Sequence, residues 1–202
     1  MQRPGKVVCV GRNYRAHAAE LGNEVPKEPL IFLKPPSSVI ATGAAIILPA
    51  VSRQVEFEGE IGIIIGKRLK DASEDEARAA VAAVVALNDV TARDLQRSDG
   101  QWTRAKGFDT FCPLGPAVPV PADLATLTVT TRVNGAVRQT GSAADMVFPI
   151  PTLLAYISRI MTLEPGDAVA TGTPAGVGRL EAGDVVEVEA GGSVVRNDVR
   201  GA

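Results

Sequence analysis

Short apolar runs separated by turn-forming residues dominate this sequence. Apolar residues dominate 7–10, 30–33 and 168–171 and alternate with glutamate over 185–189, and each run has glycine, proline or aspartate within two residues of its ends. These residues favour turns because they impose or tolerate backbone angles that other residues avoid. Asn134-Gly135, between residues 128–133 and 136–140, predicts a tight hairpin because both turn positions need positive φ. The pattern predicts a chain built mainly from short strands.

One longer strand and a capped helix are predicted in the second quarter of the chain. Residues 54–66 first alternate and then become wholly apolar, which predicts a single strand that enters the core. Ser73 and Glu76 have the spacing of a capping box, which predicts that a helix begins there. The helical spacing gives way to a strand-like pattern near Ala83, and this pattern continues to Val90.

Few other segments have the spacing of a helix. Residues 13–21 have the composition of one or two helical turns, and a second apolar helix face consists of Leu153, Tyr156, Ile157 and Ile160. Residues 113–121 contain four prolines and are predicted to form a loop. Because strands outnumber helices, the predicted fold class is a β-rich α+β fold.

Size and charge exclude several classes of protein. A chain of 202 residues that is 46% hydrophobic can bury one sizeable core, so we expect residues 1–202 to form a single domain. With a net charge of −2 and scattered basic residues, it offers no basic surface to nucleic acid. Residues 7–10 are too short for a signal-peptide core or a membrane span, which predicts a cytoplasmic protein that does not bind membranes. Cys9 and Cys112 are predicted to be buried, reduced thiols.

Acidic residues in apolar surroundings indicate a metal site. Glu56, Glu58 and Glu60 alternate along the predicted strand, so they share a face at about 6.7 Å intervals. Spacing alone decides nothing, since Glu187 and Glu189 have the same spacing in an ordinary strand. Glu58 and Glu60, however, lead into a wholly apolar run, where unpaired carboxylates are costly. Asp89 is a further acid in an apolar stretch, and three carboxylates without thiolate or clustered histidine suit Mg²⁺ or Mn²⁺.

Two other features are compatible with either a functional or an ordinary role. His17 is the sole histidine, and Glu20 at i+3 is placed to orient its imidazole on a helix. Such a pair is half of a general-base dyad, but it is also common on protein surfaces. The glycine-rich residues 171–178 follow a predicted strand and offer hydroxyls and amides to an anion, although a plain turn has the same composition.

Taken in order, six motifs resemble the fumarylacetoacetate hydrolase family, especially its short acylpyruvate hydrolase and oxaloacetate decarboxylase-like members. They are VCVGRNY (8–14) with His17 and Glu20, FLKP (32–35), FEGEIG (57–62), DVTARD (89–94), WTRAKGF (102–108) and TGTPAGVG (171–178). In this resemblance FEGEIG is the metal strand, so it selects Glu58 and Glu60 over Glu56. The resemblance also implies a mixed β-roll or sandwich fold and a homodimer.

The resemblance implies a role for each site residue. The metal ligands are Glu58, Glu60 and Asp89, and the metal is Mg²⁺ or Mn²⁺. His17 and Glu20 match the water-activating dyad, which lies on a lid that orders over bound ligand. Lys106 has both a catalytic and a substrate-binding role. The residues expected to bind substrate are Arg12, Arg93, Gln96, Lys106 and Thr173.

The implied reaction is hydrolysis of a carbon–carbon bond in a small 2-oxo acid. The substrate's carboxylate and keto oxygen would chelate the ion, which would absorb the charge of a pyruvate enolate. Glu20 would orient His17, and His17 would deprotonate the water that attacks a 3-acylpyruvate such as acetylpyruvate or fumarylpyruvate. Oxaloacetate decarboxylation or tautomerisation and isomerisation of 2-hydroxyhepta-2,4-diene-1,7-dioate are alternatives that need no attacking water. A non-enzymatic metal or oxo-acid binding protein is a further alternative.

The sequence departs from the family pattern at two places. Many short members of the family carry histidine before the first metal glutamate, where this chain has Phe57. Residues 97–101 are shortened, and this stretch flanks the expected pocket. Substrate choice therefore rests on residues that differ from the family pattern, whereas the predicted metal ligands match it.

Overall fold

The computed structural model describes residues 3–20, 22 and 24–202 and contains fifteen strands and five α-helices in that part of the chain. The strands are β1 (Val7–Gly11), β2 (Leu30–Lys34), β3 (Val39–Ala41), β4 (Ile46–Leu48), β5 (Val55–Phe57), β6 (Gly59–Ile65), β7 (Val81–Asn88), β8 (Thr91–Ala92), β9 (Cys112–Leu114), β10 (Thr128–Val133), β11 (Ala136–Ser142), β12 (Ala168–Ala170), β13 (Gly178–Arg179), β14 (Val185–Ala190) and β15 (Ser193–Gly201). The helices are α1 (Arg15–Glu20), α2 (Glu74–Ala79), α3 (Arg93–Asp99), α4 (Thr103–Lys106) and α5 (Ile150–Ile160).

Three sheets account for all of these strands; the two larger sheets are mixed, and the smallest is antiparallel. The largest has the order β2-β1-β12-β6-β7-β9-β3, the second β11-β10-β14-β15-β4, and the third β13-β5-β8. In the largest sheet β1 runs parallel to β12, whereas β6 runs antiparallel to both of its neighbours. The fold is a strand-rich α+β fold with curled sheets, which confirms the predicted class.

The alternating side chains of β6 divide the interior into two parts. Ile61, Ile63 and Ile65 pack into the main apolar core, to which both large sheets and α5 contribute. Ile64, on the opposite face, packs against a smaller core whose buried members come from β1, β7, β9 and β12. Because side chains alternate along a strand, Glu60 lies on the face of Ile64 and away from the main core. This second face of the large sheet carries the acidic site.

The predicted strand over residues 54–66 is wrong, because the chain changes sheet at Glu58. The Glu58 N–H donates to Asn88 Oδ1 at 3.0 Å, and its carbonyl accepts the Asp89 N–H at 2.8 Å. These bonds interrupt the ladder, so β5 pairs with β8 while β6 pairs with β7. The expectation that Glu56 shares a face with Glu58 and Glu60 therefore fails. The interruption creates a corner at which two glutamates and Asp89 approach one another.

The loop predicted over residues 113–121 is partly sheet. Its first residues belong to β9, which pairs with β3 and β7, and Val118 bridges Val84. Proline has no N–H group to donate to a neighbouring strand. It is tolerated in β9 because this strand pairs with β7 at one position only, Leu114. Strand β15 was also missed, because its polar residues obscured an alternation in which every second side chain is buried.

The predicted hairpin and capping box are confirmed. Asn134 and Gly135 have φ values of 52° and 81°, and they connect β10 to β11. The Ser73 side chain accepts the Glu76 N–H, and the Glu76 carboxylate accepts the Ser73 N–H. Helix α2 gives way to β7 at Val81, two residues before the predicted boundary.

The two other predicted helices are present with altered limits. Helix α1 begins at Arg15, two residues later than predicted, and the predicted final residue, Leu21, lies outside the described residues. Helix α5 buries Leu153 and Ile157 as expected, but Ile160 at its last position is 52% exposed. Within the part of the chain that the structure describes, none of the helices combines the length and apolar character needed to span a bilayer.

Candidate active site

Three buried carboxylates meet where the chain changes sheet. Glu58 lies between β5 and β6, Glu60 is the second residue of β6, and Asp89 follows the end of β7. These residues are at most 4% exposed, and one oxygen from each lies within 4.8 Å of the others. Coulomb repulsion at such distances is severe in a desolvated interior, so the cluster needs positive charge.

Three buried cationic side chains supply part of that charge. Lys106 Nζ donates to Glu58 Oε2 at 2.9 Å and to Asp89 Oδ2 at 2.6 Å. Lys34 Nζ donates to the other oxygen of Asp89 at 2.6 Å, and the Arg93 guanidinium pairs with Glu58 Oε1. Among the described residues no cationic side chain pairs with Glu60, whose carboxylate accepts the Gly172 N–H at 2.7 Å. Glu60 is therefore the under-compensated member of the cluster.

The pKa values of the two glutamates differ for this reason. Burial raises the pKa of Glu60 well above its usual range, and the neighbouring charges of Asp89 and Glu58 raise it further. Burial alone would also raise the pKa of Glu58, but Lys106 and Arg93 hold it well below its ordinary value. A divalent cation between the three carboxylates would remove the penalty at Glu60. Three carboxylate ligands are the donor set that Mg²⁺ or Mn²⁺ prefers, so these residues fit such an ion.

Arg93 connects the acidic cluster to the adjacent helix. Its Nε donates to Glu56 Oε2 at 2.7 Å, one terminal nitrogen donates to Glu58, and the other donates to Gln96 Oε1. Burial lowers the pKa of this guanidinium, but Glu58 and Glu56 outweigh that effect and raise it. The structure thus assigns Glu56 to Arg93 and separates it from the acidic triad.

His17 and Glu20 form a contact on α1 at the edge of the same site. His17 Nδ1 lies 3.2 Å from Glu20 Oε2, and the His17 side chain is 5% exposed. The other carboxylate oxygen of Glu20 accepts the Gly176 N–H at 3.0 Å. Glu20 therefore holds the imidazole and also connects the short helix to the glycine-rich turn. With Nδ1 engaged, Nε2 is the nitrogen that remains available to a ligand.

The glycine-rich turn contributes two groups to the site. The Gly172 amide binds Glu60, and Thr173 donates its hydroxyl to the Gly59 carbonyl at 2.9 Å. Gln139, from β11, donates to Thr173 Oγ1 at 2.8 Å and accepts the Gly59 N–H at 2.9 Å. On the opposite side, Asn13 Nδ2 donates to the Thr171 carbonyl at 2.8 Å. These bonds fix the turn as part of the site.

Gly172→Ala is expected to destabilise the fold more than Gly183→Ala. Both glycines have left-handed φ values, 103° and 97°, so the strain of an alanine costs about 1–3 kcal/mol at either position. A Cβ at Gly172 would lie 2.7 Å from Asn13 Cβ, whereas a Cβ at Gly183 has no neighbour within 4 Å. Overpacking should add about 1–3 kcal/mol at Gly172 alone. Urea unfolding measures the difference, and equal losses of unfolding free energy would contradict it.

These groups open on one cavity of 320 Å³. Glu20 lies behind His17, and the other sequence-predicted site residues line the cavity; they are Arg12, His17, Glu58, Glu60, Asp89, Arg93, Gln96, Lys106 and Thr173. Arg12 has a φ of 58°, which is rare for a residue with a side chain and is concentrated at functional sites. Phe32 and Trp102 form an apolar wall, with their ring centroids 5.2 Å apart. The cavity therefore has an acidic floor, a basic rim and one aromatic side.

Sequence reasoning missed Lys34 and Gln139. Lys34 lies two residues after Phe32 in β2, so strand alternation places it on the same face as a cavity-lining residue. This alternation is visible in the sequence, but it does not indicate which acidic side chain would pair with Lys34. Gln139 belongs to a strand whose exposed neighbours hide its burial, and no local signal distinguishes it.

Neither cysteine takes part in the site. Cys9 and Cys112 are free and buried, as predicted. Burial raises the pKa of Cys112 to about 12 and raises that of Cys9 well above its usual value. Both thiols are therefore protonated at neutral pH and are poor nucleophiles.

Comparison with known proteins identifies the family of this chain. The family described as fumarylacetoacetate (FAA) hydrolase C-terminal matches residues 6–200 of the chain. The chain belongs to this family. The resemblance inferred from the six motifs is thereby confirmed. Members of the fumarylacetoacetate hydrolase family are enzymes, and those similar to this chain carry hydrolase, isomerase and tautomerase names.

Three similar proteins illustrate the range of activities named in the family. The mitochondrial oxaloacetate tautomerase FAHD1 of Arabidopsis thaliana is 44% identical over 90% of this chain and 84% of its own length. The 5-carboxymethyl-2-hydroxymuconate delta-isomerase of Mycobacterium smegmatis has a TM-score of 0.91 at 44% identity, covering 99% of this chain and 80% of that one. Fumarylpyruvate hydrolase of Pseudomonas aeruginosa, solved with Mn²⁺ and pyruvate, has a TM-score of 0.93 at 31% identity. The match covers 98% of this chain and 91% of the hydrolase.

Proposed function

We propose that this protein is a metal-dependent hydrolase that cleaves the carbon–carbon bond of a 3-acylpyruvate. The supporting observation is that three buried carboxylates and a histidine oriented by a carboxylate open on the same cavity. Hydrolysis needs both a means of stabilising negative charge and a base for water, and the cavity offers both. The related fumarylpyruvate hydrolase, solved with Mn²⁺ and pyruvate, supports the same reading.

Glu58, Glu60 and Asp89 would hold the metal, Mg²⁺ or Mn²⁺. When bound, such an ion polarises the oxygens of a 2-oxo acid and stabilises the negative charge that develops on them. Lys106 and Arg93 offset the surplus negative charge of three ligands and a substrate, because both are buried against the same carboxylates. Thr173, Gln96 and Arg12 line the rest of the cavity and would position the substrate.

His17 is proposed as the base. Its Nδ1 is held by Glu20, so Nε2 takes the proton from a water that attacks the distal carbonyl of the substrate. The bond between the distal carbonyl carbon and C3 then breaks, and its electron pair remains with the three-carbon fragment. Return of the proton to C3 gives pyruvate, and the acyl group leaves as a carboxylic acid. One water is consumed and no redox partner is needed.

A second function uses the same site without the attacking water. The similarity to an oxaloacetate tautomerase and to a hydroxymuconate isomerase favours proton transfer within a substrate of one of these two types. Decarboxylation of oxaloacetate is a chemically related reaction. These reactions need the acidic triad and Lys106, but they do not need a water deprotonated by His17. We further propose that the protein is a single catalytic domain that acts as a cytoplasmic homodimer on a small 2-oxo acid, as the sequence and the family resemblance suggest.

A substrate screen tests the proposal. Acetylpyruvate, fumarylpyruvate and oxaloacetate are incubated with the protein and Mg²⁺ or Mn²⁺, and the products are identified by chromatography. We expect metal-dependent release of pyruvate together with the free acid from an acylpyruvate, and no such release by Glu58→Ala. Oxaloacetate turnover without acylpyruvate cleavage would favour the second function. Metal and ligand binding without turnover of any of the three acids would instead indicate a non-enzymatic binding protein.

A further inference from the structure

Lys34 is a buried lysine to which the proposed mechanism gives no role. It is the last residue of β2 and is 1% exposed. Its Nζ donates to Asp89 Oδ1 at 2.6 Å and to the Val90 carbonyl at 3.0 Å. The second bond ties the ammonium group to the backbone, so its position is fixed independently of any ligand in the cavity. A lysine that is so costly to bury needs an explanation.

The three acids of the cluster share a bonding pattern. Each has one oxygen that accepts a hydrogen bond from a donor other than Lys106. Glu58 Oε1 accepts the Thr91 hydroxyl at 3.1 Å and pairs with Arg93. Glu60 Oε2 accepts the Gly172 amide at 2.7 Å. Asp89 Oδ1 is the oxygen occupied by Lys34.

The second oxygens of Glu58 and Asp89 share one partner, Lys106, whereas the second oxygen of Glu60 does not. Glu58 Oε2 and Asp89 Oδ2 both accept hydrogen bonds from Lys106 Nζ. Glu60 Oε1 accepts no hydrogen bond from the residues that the structure describes. A carboxylate with one oxygen held by a fixed donor favours binding a metal ion through its other oxygen, and at Glu58 and Asp89 that oxygen is the one that now contacts Lys106. Three such ligands suit the octahedral ions Mg²⁺ and Mn²⁺, whereas Ca²⁺ favours more oxygens and often bidentate carboxylates.

We propose that Lys34 is a positioning residue that keeps Asp89 monodentate and thereby makes the site prefer Mn²⁺ or Mg²⁺ to Ca²⁺. This inference rests on the metal site of the proposed function. Of the three acids, Asp89 is the one in which the oxygen that does not contact Lys106, Oδ1, is held by a single side chain that also contacts a backbone carbonyl. Without that ammonium group Asp89 Oδ1 loses its one hydrogen-bond donor among the described residues and can turn toward a larger ion.

The test compares Lys34→Met with Lys106→Met by calorimetric titration of Mn²⁺ and Ca²⁺. Both variants remove a buried ammonium group that contacts Asp89, but from different oxygens of its carboxylate. Loss of an outer partner of a metal ligand typically changes affinity by 10–100-fold. We expect Lys34→Met to lower the ratio of the Ca²⁺ to the Mn²⁺ dissociation constant by about tenfold. Lys106→Met should change the affinity for both ions, because Lys106 contacts Glu58 and Asp89, but it should shift the ratio much less than Lys34→Met, since Lys34 still holds Asp89 Oδ1.

Infrared difference spectra provide a readout that needs no variant. The separation of the two carboxylate stretching bands distinguishes monodentate from bidentate coordination. We expect the wild-type protein with Mn²⁺ to show monodentate carboxylates only, and bidentate coordination there would overturn the inference even if Lys34→Met does not fold. An unchanged ratio in a folded Lys34→Met protein would also overturn it. Failure of the wild-type protein to bind either ion would overturn the proposed metal site as well, so the two failures are distinguishable.

Discussion

Glu60→Gln is expected to abolish nearly all metal-dependent turnover. Glu60 is the member of the acidic cluster that lacks a cationic partner among the described residues, so its charge is the one that a metal ion would neutralise. Glutamine keeps the shape and an oxygen for the Gly172 amide, but it removes the charge. Stabilisation of developing charge by a metal is worth several kcal/mol, so kcat/KM should fall on the order of 10³-fold. Steady-state kinetics with saturating Mn²⁺, together with measurement of bound metal, checks this result.

Glu56→Gln is the matched control for that experiment. Glu56 is buried and lies in the preceding strand, but its carboxylate binds Arg93 and Gln54 and stands outside the triad. We expect Glu56→Gln to retain bound metal and to lose much less activity than Glu60→Gln. Full metal occupancy and wild-type turnover in Glu60→Gln would contradict the assignment of Glu60 as a ligand.

His17→Ala is expected to separate two activities of the same site. Hydrolysis of an acylpyruvate needs a deprotonated water, and a positioned base typically contributes 10²–10⁴-fold, so hydrolysis should fall by about that factor. Decarboxylation of oxaloacetate does not need an attacking water and should remain measurable. Both rates are measured on the same preparation with Mn²⁺, and bound metal is measured in parallel, because His17 is not one of the three proposed ligands.

Two further variants make this result specific to the imidazole. Arg15→Ala changes an exposed residue on the same helix, outside the cavity lining, and should leave both activities near wild type. Glu20→Gln keeps a hydrogen-bonding side chain beside His17 but removes the negative charge, so its loss of hydrolysis should be smaller than that of His17→Ala. Equal loss of hydrolysis and decarboxylation in His17→Ala would show that the histidine serves the site as a whole and does not activate water specifically.

Local sequence patterns predicted much of the fold. The Asn134-Gly135 hairpin and the capping box at Ser73 are correct because neighbouring residues alone determine them. The acidic triad could not be predicted from local patterns alone. Strand alternation could not separate Glu56 from Glu58 and Glu60, and the motif resemblance was needed to make that choice. The structure then brings Glu58, Glu60 and Asp89 together.

Features that depend on distant contacts could not be predicted. The change of sheet at Glu58 exists because Asn88 and Asp89, thirty residues later, bind its backbone. Lys34 looks like the end of an ordinary strand until Asp89 is placed beside its ammonium group. Strand β9 forms despite its proline because β3 and β7 supply partners from elsewhere in the chain. In each case the deciding interaction joins residues that are far apart in sequence.

Anomalous diffraction from crystals grown with Mn²⁺ tests the metal centre most directly. Data collected near the manganese absorption edge locate the ion by its own anomalous scattering, so its position does not depend on any assumption about its ligands. We expect one strong anomalous peak per chain, within bonding distance of a carboxylate oxygen from each of Glu58, Glu60 and Asp89. A peak elsewhere, or an ordered site with these carboxylates and no anomalous peak between them, would contradict this expectation.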